Sequence, residues 1–114
     1  MGNLSLRIDL EPEGRIGPGK IALLEQIAAF GSISAGARRL NMSYKRAWDL
    51  VEEMNAMFGK PVVQAQTGGR KGGGAQLTET GTALVTRFRA IERAAAAAAA
   101  DHIAAIEAEM KDRR

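Results

Sequence analysis

The chain has 114 residues, 46% apolar and 25% charged, with one histidine and no cysteine. That is the balance of one globular domain, and it excludes disorder over the whole length, disulfides, thiol catalysis and thiolate metal sites. Sixteen Lys and Arg against 13 Asp and Glu leave a net charge of +3, and the surplus is concentrated: residues 38–89 carry nine basic and four acidic groups, while each flank is net −1.

Residues 4–10, Leu4-Ser5-Leu6-Arg7-Ile8-Asp9-Leu10, alternate apolar and polar, which predicts a half-buried strand ended by Glu11-Pro12-Glu13-Gly14. No basic region and apolar core precede it, so no secretory signal is expected, and no stretch approaches the roughly 20 apolar residues of a membrane span. A cytoplasmic protein without a membrane partner is the expectation. Gly17-Pro18 opens a helix, since proline suits the first turn. Ile21, Leu24, Ile27 and Ala28 recur at helical spacing, with Leu23 and Phe30 widening the apolar face, and Gly31 fits the left-handed position after its end. Ser34 is expected to cap a short helix over residues 35–40. Asn41-Met42 forms a tight turn, and Ser43 caps a third helix from Tyr44 to Phe58. In it Ala47, Val51, Met54 and Phe58 share a face with Leu50 beside them, and Gly59 and Pro61 stop it.

Residues 62–66 read as a short strand and residues 75–77 as its return. Between them Thr67-Gly68-Gly69-Arg70-Lys71-Gly72-Gly73-Gly74 makes a flexible basic tip. Thr78 caps a last helix, with Glu79 in its first turn. Seven alanines, Ala94 to Ala100, lie within it, and it is expected to run from residue 79 to about residue 111, too long for the body before it. Leu84, Phe88, Ile91, Ala95 and Ala98 form a stripe that Ile103, Ile106 and Met110 resume one position out of phase. A protruding striped helix pairs with another helix. Leu84, Phe88, Ile91, Ile103, Ile106 and Met110 are therefore expected at a homodimer interface.

A short helix, a tight turn and a longer helix have the spacing of a helix-turn-helix, whose second helix enters the major groove by its N-terminal residues. With Ala47, Val51 and Met54 inward, Ser43, Tyr44, Lys45 and Trp48 are exposed there, flanked by Arg46 and Asp49. Tyrosine, lysine and serine are base and phosphate readers, and the helix N-terminus itself favours phosphate; Trp48 has core packing as an equal alternative reading. The tip residues Thr67, Gly68, Gly69, Arg70, Lys71, Gly72 and Gly73 suit phosphates or a minor groove, because glycine allows close backbone approach. They do not form a nucleotide-binding P-loop, in which lysine is followed by Ser or Thr at a strand-to-helix junction; here Gly72 follows Lys71.

Strand, three helices, hairpin and helix follow the order of a winged helix-turn-helix, mainly α with a small β hairpin. Residues 1–78 form the expected DNA-binding domain and residues 79–114 the dimerisation helix. Gly31-Ser32-Ile33-Ser34-Ala35-Gly36-Ala37 resembles the helix-turn-helix entry of LysR-type and related bacterial regulators. Ser43-Tyr44-Lys45-Arg46-Ala47-Trp48-Asp49, Met54-Asn55, and the glycine-rich run ending Ala75-Gln76-Leu77-Thr78 resemble the DNA-binding domain of the ModE family of molybdate-responsive transcriptional regulators. The similarity spans roughly residues 4–90. It implies a dimeric winged helix on operator DNA, with Tyr44, Lys45 and Arg46 on the recognition helix and Arg70 and Lys71 on the wing. The family's molybdate-binding β-barrel domains have no counterpart before Arg114. The expectation is thus a regulator of double-stranded DNA without a cofactor or bound metal, acting under another signal or with a separate sensor protein. Two other readings share parts of the pattern: a non-specific nucleoid-architectural protein, and a winged-helix protein-interaction module. An enzyme is not expected, because His102 lies in the last helix without catalytic neighbours and no carboxylate pair sits in a cleft.

Overall fold

The computed structural model describes residues 2–66 and 74–110. Within them the element order is β1 (Ile8–Asp9), β2 (Arg15–Ile16), α1 (Pro18–Phe30), α2 (Ile33–Arg39), α3 (Tyr44–Phe58), β3 (Val63–Gln66), β4 (Gly74–Leu77) and α4 (Glu79–Ala108). The two strand pairs are separate antiparallel ribbons.

The first ribbon corrects the seven-residue strand expected from alternation. Only Ile8 and Asp9 pair, opposite Ile16 and Arg15. The partner strand is two residues long, so the remaining alternating residues find no ladder. The alternation still sets which side chains turn inward, because Leu6, Ile8 and Leu10 all pack against the core. The segment before them lies on α4: a Cβ placed on Gly2 would sit 3.1 Å from the Ile103 side chain.

α1 is the hub. Ile21, Leu23, Leu24 and Ile27 are all fully buried. This helix touches α2, α3, α4 and β4, which is why its apolar positions run wider than one stripe. Ala28 faces solvent, and Phe30 is half exposed beneath the Arg39 guanidinium, 5.0 Å from the ring centroid, a cation–π contact. Gly31 then takes φ +78° and donates its N–H to the Ile27 carbonyl at 2.8 Å, a left-handed helix end. Its own carbonyl accepts from the Ala75 N–H at 2.7 Å, tying β4 to the end of α1.

α2 begins two residues earlier than expected, and its cap is Ser32, not Ser34. The Ser32 hydroxyl accepts from the Ala35 N–H at 3.0 Å, and Ser32 itself is extended, as an N-cap requires. The reason is Ile33, which is only 7% exposed: starting the helix here turns it into the core. Ser34 instead accepts from Arg38 within the helix. Asn41 adopts φ +55° in the turn that follows, as its tolerance of that region allows.

α3 ends at Gly59 in the left-handed conformation. Asn55 Oδ1 accepts from the Val62 N–H at 2.9 Å, and the Thr78 N–H donates to the Val62 carbonyl at 3.0 Å. These bonds seat the second ribbon against α3 and the start of α4. Its register pairs Val63 with Leu77 and Gln66 with Gly74.

α4 has 30 residues, a span of about 45 Å at 1.5 Å per residue. It stops at Ala108, short of the expected end near residue 111. Thr78 caps it through the Gly81 N–H. Its first turns pack on the body through Phe88, with Leu84 and Val85 beside it. Arg89 then latches it to α1: its guanidinium donates two bonds to the Glu25 carboxylate, at 2.6 and 2.9 Å, and one to Glu92 at 2.6 Å. Among the described residues no helix is long and apolar enough to cross a membrane.

Candidate nucleic-acid interface

α2, the turn at residues 40–43 and α3 make the helix-turn-helix. The orientation of α3 follows from its sequence. Ala47, Leu50, Val51 and Met54 are at most 6% exposed, and they occupy one side of the cylinder at 100° per residue. Ser43 caps the helix by accepting from the Arg46 N–H at 3.0 Å. With the inner side filled and the N-terminus capped, the first turns present their remaining residues outward.

Tyr44 is 56% and Trp48 37% exposed. Their rings meet edge to face, with centroids 6.4 Å apart. Trp48 therefore does not belong to the core, although its size suits one. Lys45 reaches Asp49 at 3.2 Å, with its side chain 85% exposed. A surface pair of this kind is worth at most about 1 kcal/mol, so it constrains Lys45 little. Arg46 is exposed on the other flank. Glu53, one of two acids further along α3, pairs with Lys20 of α1 at 3.1 Å. Its negative charge is thereby held against the body and away from the helix tip.

One part of this surface has no signal in the sequence. Ile33 and Ser34 at the start of α2, with Val63, Ala65 and Ala75 from the second ribbon, join Tyr44 and Trp48 around an open hollow of about 230 Å³. No local pattern marks them, because α2, α3 and the second ribbon come together only in the fold. Arg38 and Arg39 also stand exposed in the last turn of α2. This basic pair beside the turn contributes to the charge surplus of residues 38–89, with Arg38 bonded to Ser34 and Arg39 lying over Phe30. The wing-tip residues Thr67, Gly68, Gly69, Arg70, Lys71, Gly72 and Gly73 lie outside the described residues.

The six residues expected at a dimer interface divide. Phe88 is 1% exposed, so it belongs to the chain's own core and leaves the interface set. Leu84 is half-buried against that core. Ile103 is half-buried and lies beside the N-terminal segment. Ile91, Ile106 and Met110 are 45%, 66% and 50% exposed. The body covers the first turns of the stripe and leaves these three bare.

Comparison with known proteins agrees with this geometry. Residues 19–82 match the family model of bacterial regulatory helix-turn-helix proteins of the lysR family. The chain is 48% identical over 80 residues to the molybdenum-pterin-binding protein MopA of Rhodobacter capsulatus, covering 70% of this chain and 30% of that protein. It is 46% identical over 71 residues to the DNA-binding transcriptional dual regulator ModE of Escherichia coli K12, covering 62% and 27%. The alignments thus span less than a third of the length of these relatives. Among solved structures, the crystal structure of the CbnR DBD–DNA complex superposes with a TM-score of 0.58 at 22% identity, over 77% of this chain and 95% of that one. The shared fold and the family match over most of the helix-turn-helix and its wing lead to one conclusion: the chain belongs to the lysR family of bacterial regulatory helix-turn-helix proteins.

Proposed function

We propose that this chain is a sequence-specific, duplex-DNA-binding transcriptional regulator that works as a homodimer. The observation that carries the reading is the tip of α3. Its inner side is fully buried, while Tyr44, Lys45, Arg46 and Trp48 stand exposed at a capped helix N-terminus. That is the end by which a second helix-turn-helix helix meets base edges and phosphates. The net charge of +5 over residues 38–89 supplies the attraction to a polyanion. No catalytic role is assigned. The molybdenum-pterin binding in the name of the Rhodobacter capsulatus relative is not assigned to these residues, which align with less than a third of its length.

The dimer rests on α4. Ile91 and Ile106 are bare along the helix and Met110 just beyond its end, and covering a large apolar side chain is worth about 1.5–3 kcal/mol. A two-fold through α4 presents two copies of α3 to one face of the duplex, about 34 Å apart or a multiple of that, which implies a palindromic operator. Competition between a selected operator and random duplex at physiological salt tests the specificity. A preference of at least ~10³ is expected, and a ratio near one favours an architectural role. Sedimentation of Ile106→Glu tests the dimer: the parent sediments as a dimer and the variant as a monomer at micromolar concentration. A variant that stays dimeric removes α4 as the main contact.

A further inference from the structure

The aromatic pair on α3 has a chemistry that phosphate contact does not explain. Tyr44 and Trp48 keep a large apolar edge in water, although the core beside them is closed. Together with Ile33, Val63, Ala65 and Ala75 they wall the hollow of about 230 Å³ that opens beside the helix tip. Its lining is mainly hydrocarbon and aromatic carbon. Ser32, Ser34 and Gly74 complete the lining, which contains no charged side chain, although Arg38 donates to the Ser34 hydroxyl; a bare guanine or cytosine edge, which offers only donors and acceptors to the major groove, would exchange most of its hydrogen bonds to water for those two hydroxyls. Among the groups that base pairs present in the major groove, one is apolar: the 5-methyl of thymine.

We propose that Tyr44 and Trp48 read thymine 5-methyl groups, so that each operator half-site carries thymine, on either strand, opposite the first two turns of α3. The inference rests on the DNA-reading role proposed for that helix and adds to it the base chemistry selected. Lys45 and Arg46 supply phosphate or purine contacts beside the pair, and their charge discriminates little between bases unless the aromatic edge sets the register. Trp48 is the deeper of the two rings and Tyr44 the more exposed. The methyl group therefore meets the Trp48 edge, with Tyr44 as the outer wall.

The test uses the full chain and an operator obtained by selection from random duplexes. Each thymine in a half-site is replaced singly by uracil, which removes the methyl and leaves base pairing intact. One or two replacements per half-site are expected to weaken binding about fourfold each, the equivalent of about 0.8 kcal/mol for one buried methyl at 1.4 kcal/mol per decade. The same replacements in Trp48→Ala, checked for fold by circular dichroism, are expected to give a thymine-to-uracil ratio near one; Tyr44→Ala serves as a second variant should Trp48→Ala not fold. If every uracil replacement is neutral in the parent chain, methyl readout is overturned while specific binding stands. If selection enriches no operator, the regulator reading and this inference fall together.

Discussion

Gly81→Ala poses a contest between local helix preference and tertiary contact, and the structure decides it. Gly81 lies in the first turn of α4 and is buried. Helix propensity alone favours alanine there by about 1 kcal/mol. A Cβ at this position, however, would stand 2.2 Å from the Val62 carbonyl oxygen and 3.1 Å from its carbon. Real Cβ atoms keep at least 3.0 Å, so helix and strand must part by about 0.8 Å. The obstacle is backbone, and it is pinned: the Val62 carbonyl accepts from the Thr78 N–H, the Val62 N–H donates to Asn55, and the Thr78 hydroxyl donates to the Pro61 carbonyl. Overpacking of this kind costs about 1–3 kcal/mol, and weakening one of those bonds adds about 1 kcal/mol. After the propensity gain the net is about 1–3 kcal/mol of destabilisation, a fall in Tm on the order of 5–15 °C for a domain of this size. Gly19→Ala is the matched control, because nothing lies within 4 Å of its Cβ position in the first turn of α1. It should be neutral or raise stability by up to about 1 kcal/mol. Thermal unfolding followed by circular dichroism, at one fixed chain concentration because dimer formation feeds into Tm, reads both. Gly81→Ala melting at or above the parent would refute the close-approach argument.

Ser32→Ala should cost about 1 kcal/mol through removal of the α2 cap, whereas Ser34→Ala should stay within about 0.5 kcal/mol; urea titration of both checks which serine is the cap. The Arg89 guanidinium hydrogen-bonded to Glu25 holds that carboxyl below the usual carboxylate range. Its contribution to stability is therefore present above the ordinary carboxylate pKa of about 4.3 and lost as pH falls through the folded-state value. The gap between parent and Glu25→Gln should be open at pH 7 and close toward pH 3, and it should be small because both side chains are about one-third exposed; a gap independent of pH speaks against the ion pair. Changing Arg70 and Lys71 together to Ala should lower affinity for specific and random duplex alike, with the slope of log K against log salt falling by about 0.9 for each phosphate that is no longer neutralised. An unchanged slope places the wing tip away from DNA.

What can be read from the chain without its fold divides along a physical line. α1 and α3 are legible because their ends carry residues whose backbone chemistry admits few alternatives: Pro18 and Gly31 for one, Ser43 and Gly59 for the other. The inner side of α3 is legible because Ala47, Val51 and Met54 follow the helical period. The start of α2 is not, because Ser32 and Ser34 flank Ile33 and either can cap. Only the burial of Ile33 against α1 chooses between them. The extent of β1 escapes for a similar reason, since alternation reports which side chains turn inward and not how long the partner strand is. Phe88 is misplaced by its spacing because a stripe along a helix shows an apolar face without showing which part the chain itself covers. The hollow beside Trp48 has no sequence signal, being assembled from α2, α3 and the second ribbon.

In the proposed reading, the division of α3 into two sides lets one helix carry both stability and recognition. Ala47, Leu50, Val51 and Met54 are buried by this chain alone, so the helix is positioned before any partner arrives. Tyr44 and Trp48 stand one turn apart on one flank of that buried stripe, Arg46 lies on the other flank, and Lys45 and Asp49 lie opposite it. None of the five closes the core, so changes among them are expected to have little effect on folding. The Lys45–Asp49 pair sharpens this separation. Unbound, it balances charge at the tip. In the proposed reading, Lys45 would gain a phosphate on a duplex while Asp49 would be left facing a polyanion, unless a base edge offers it a donor, as the cytosine amino group does. In that reading a negative group beside the tip penalises sites that do not satisfy it, which adds to the discrimination proposed for the aromatic pair.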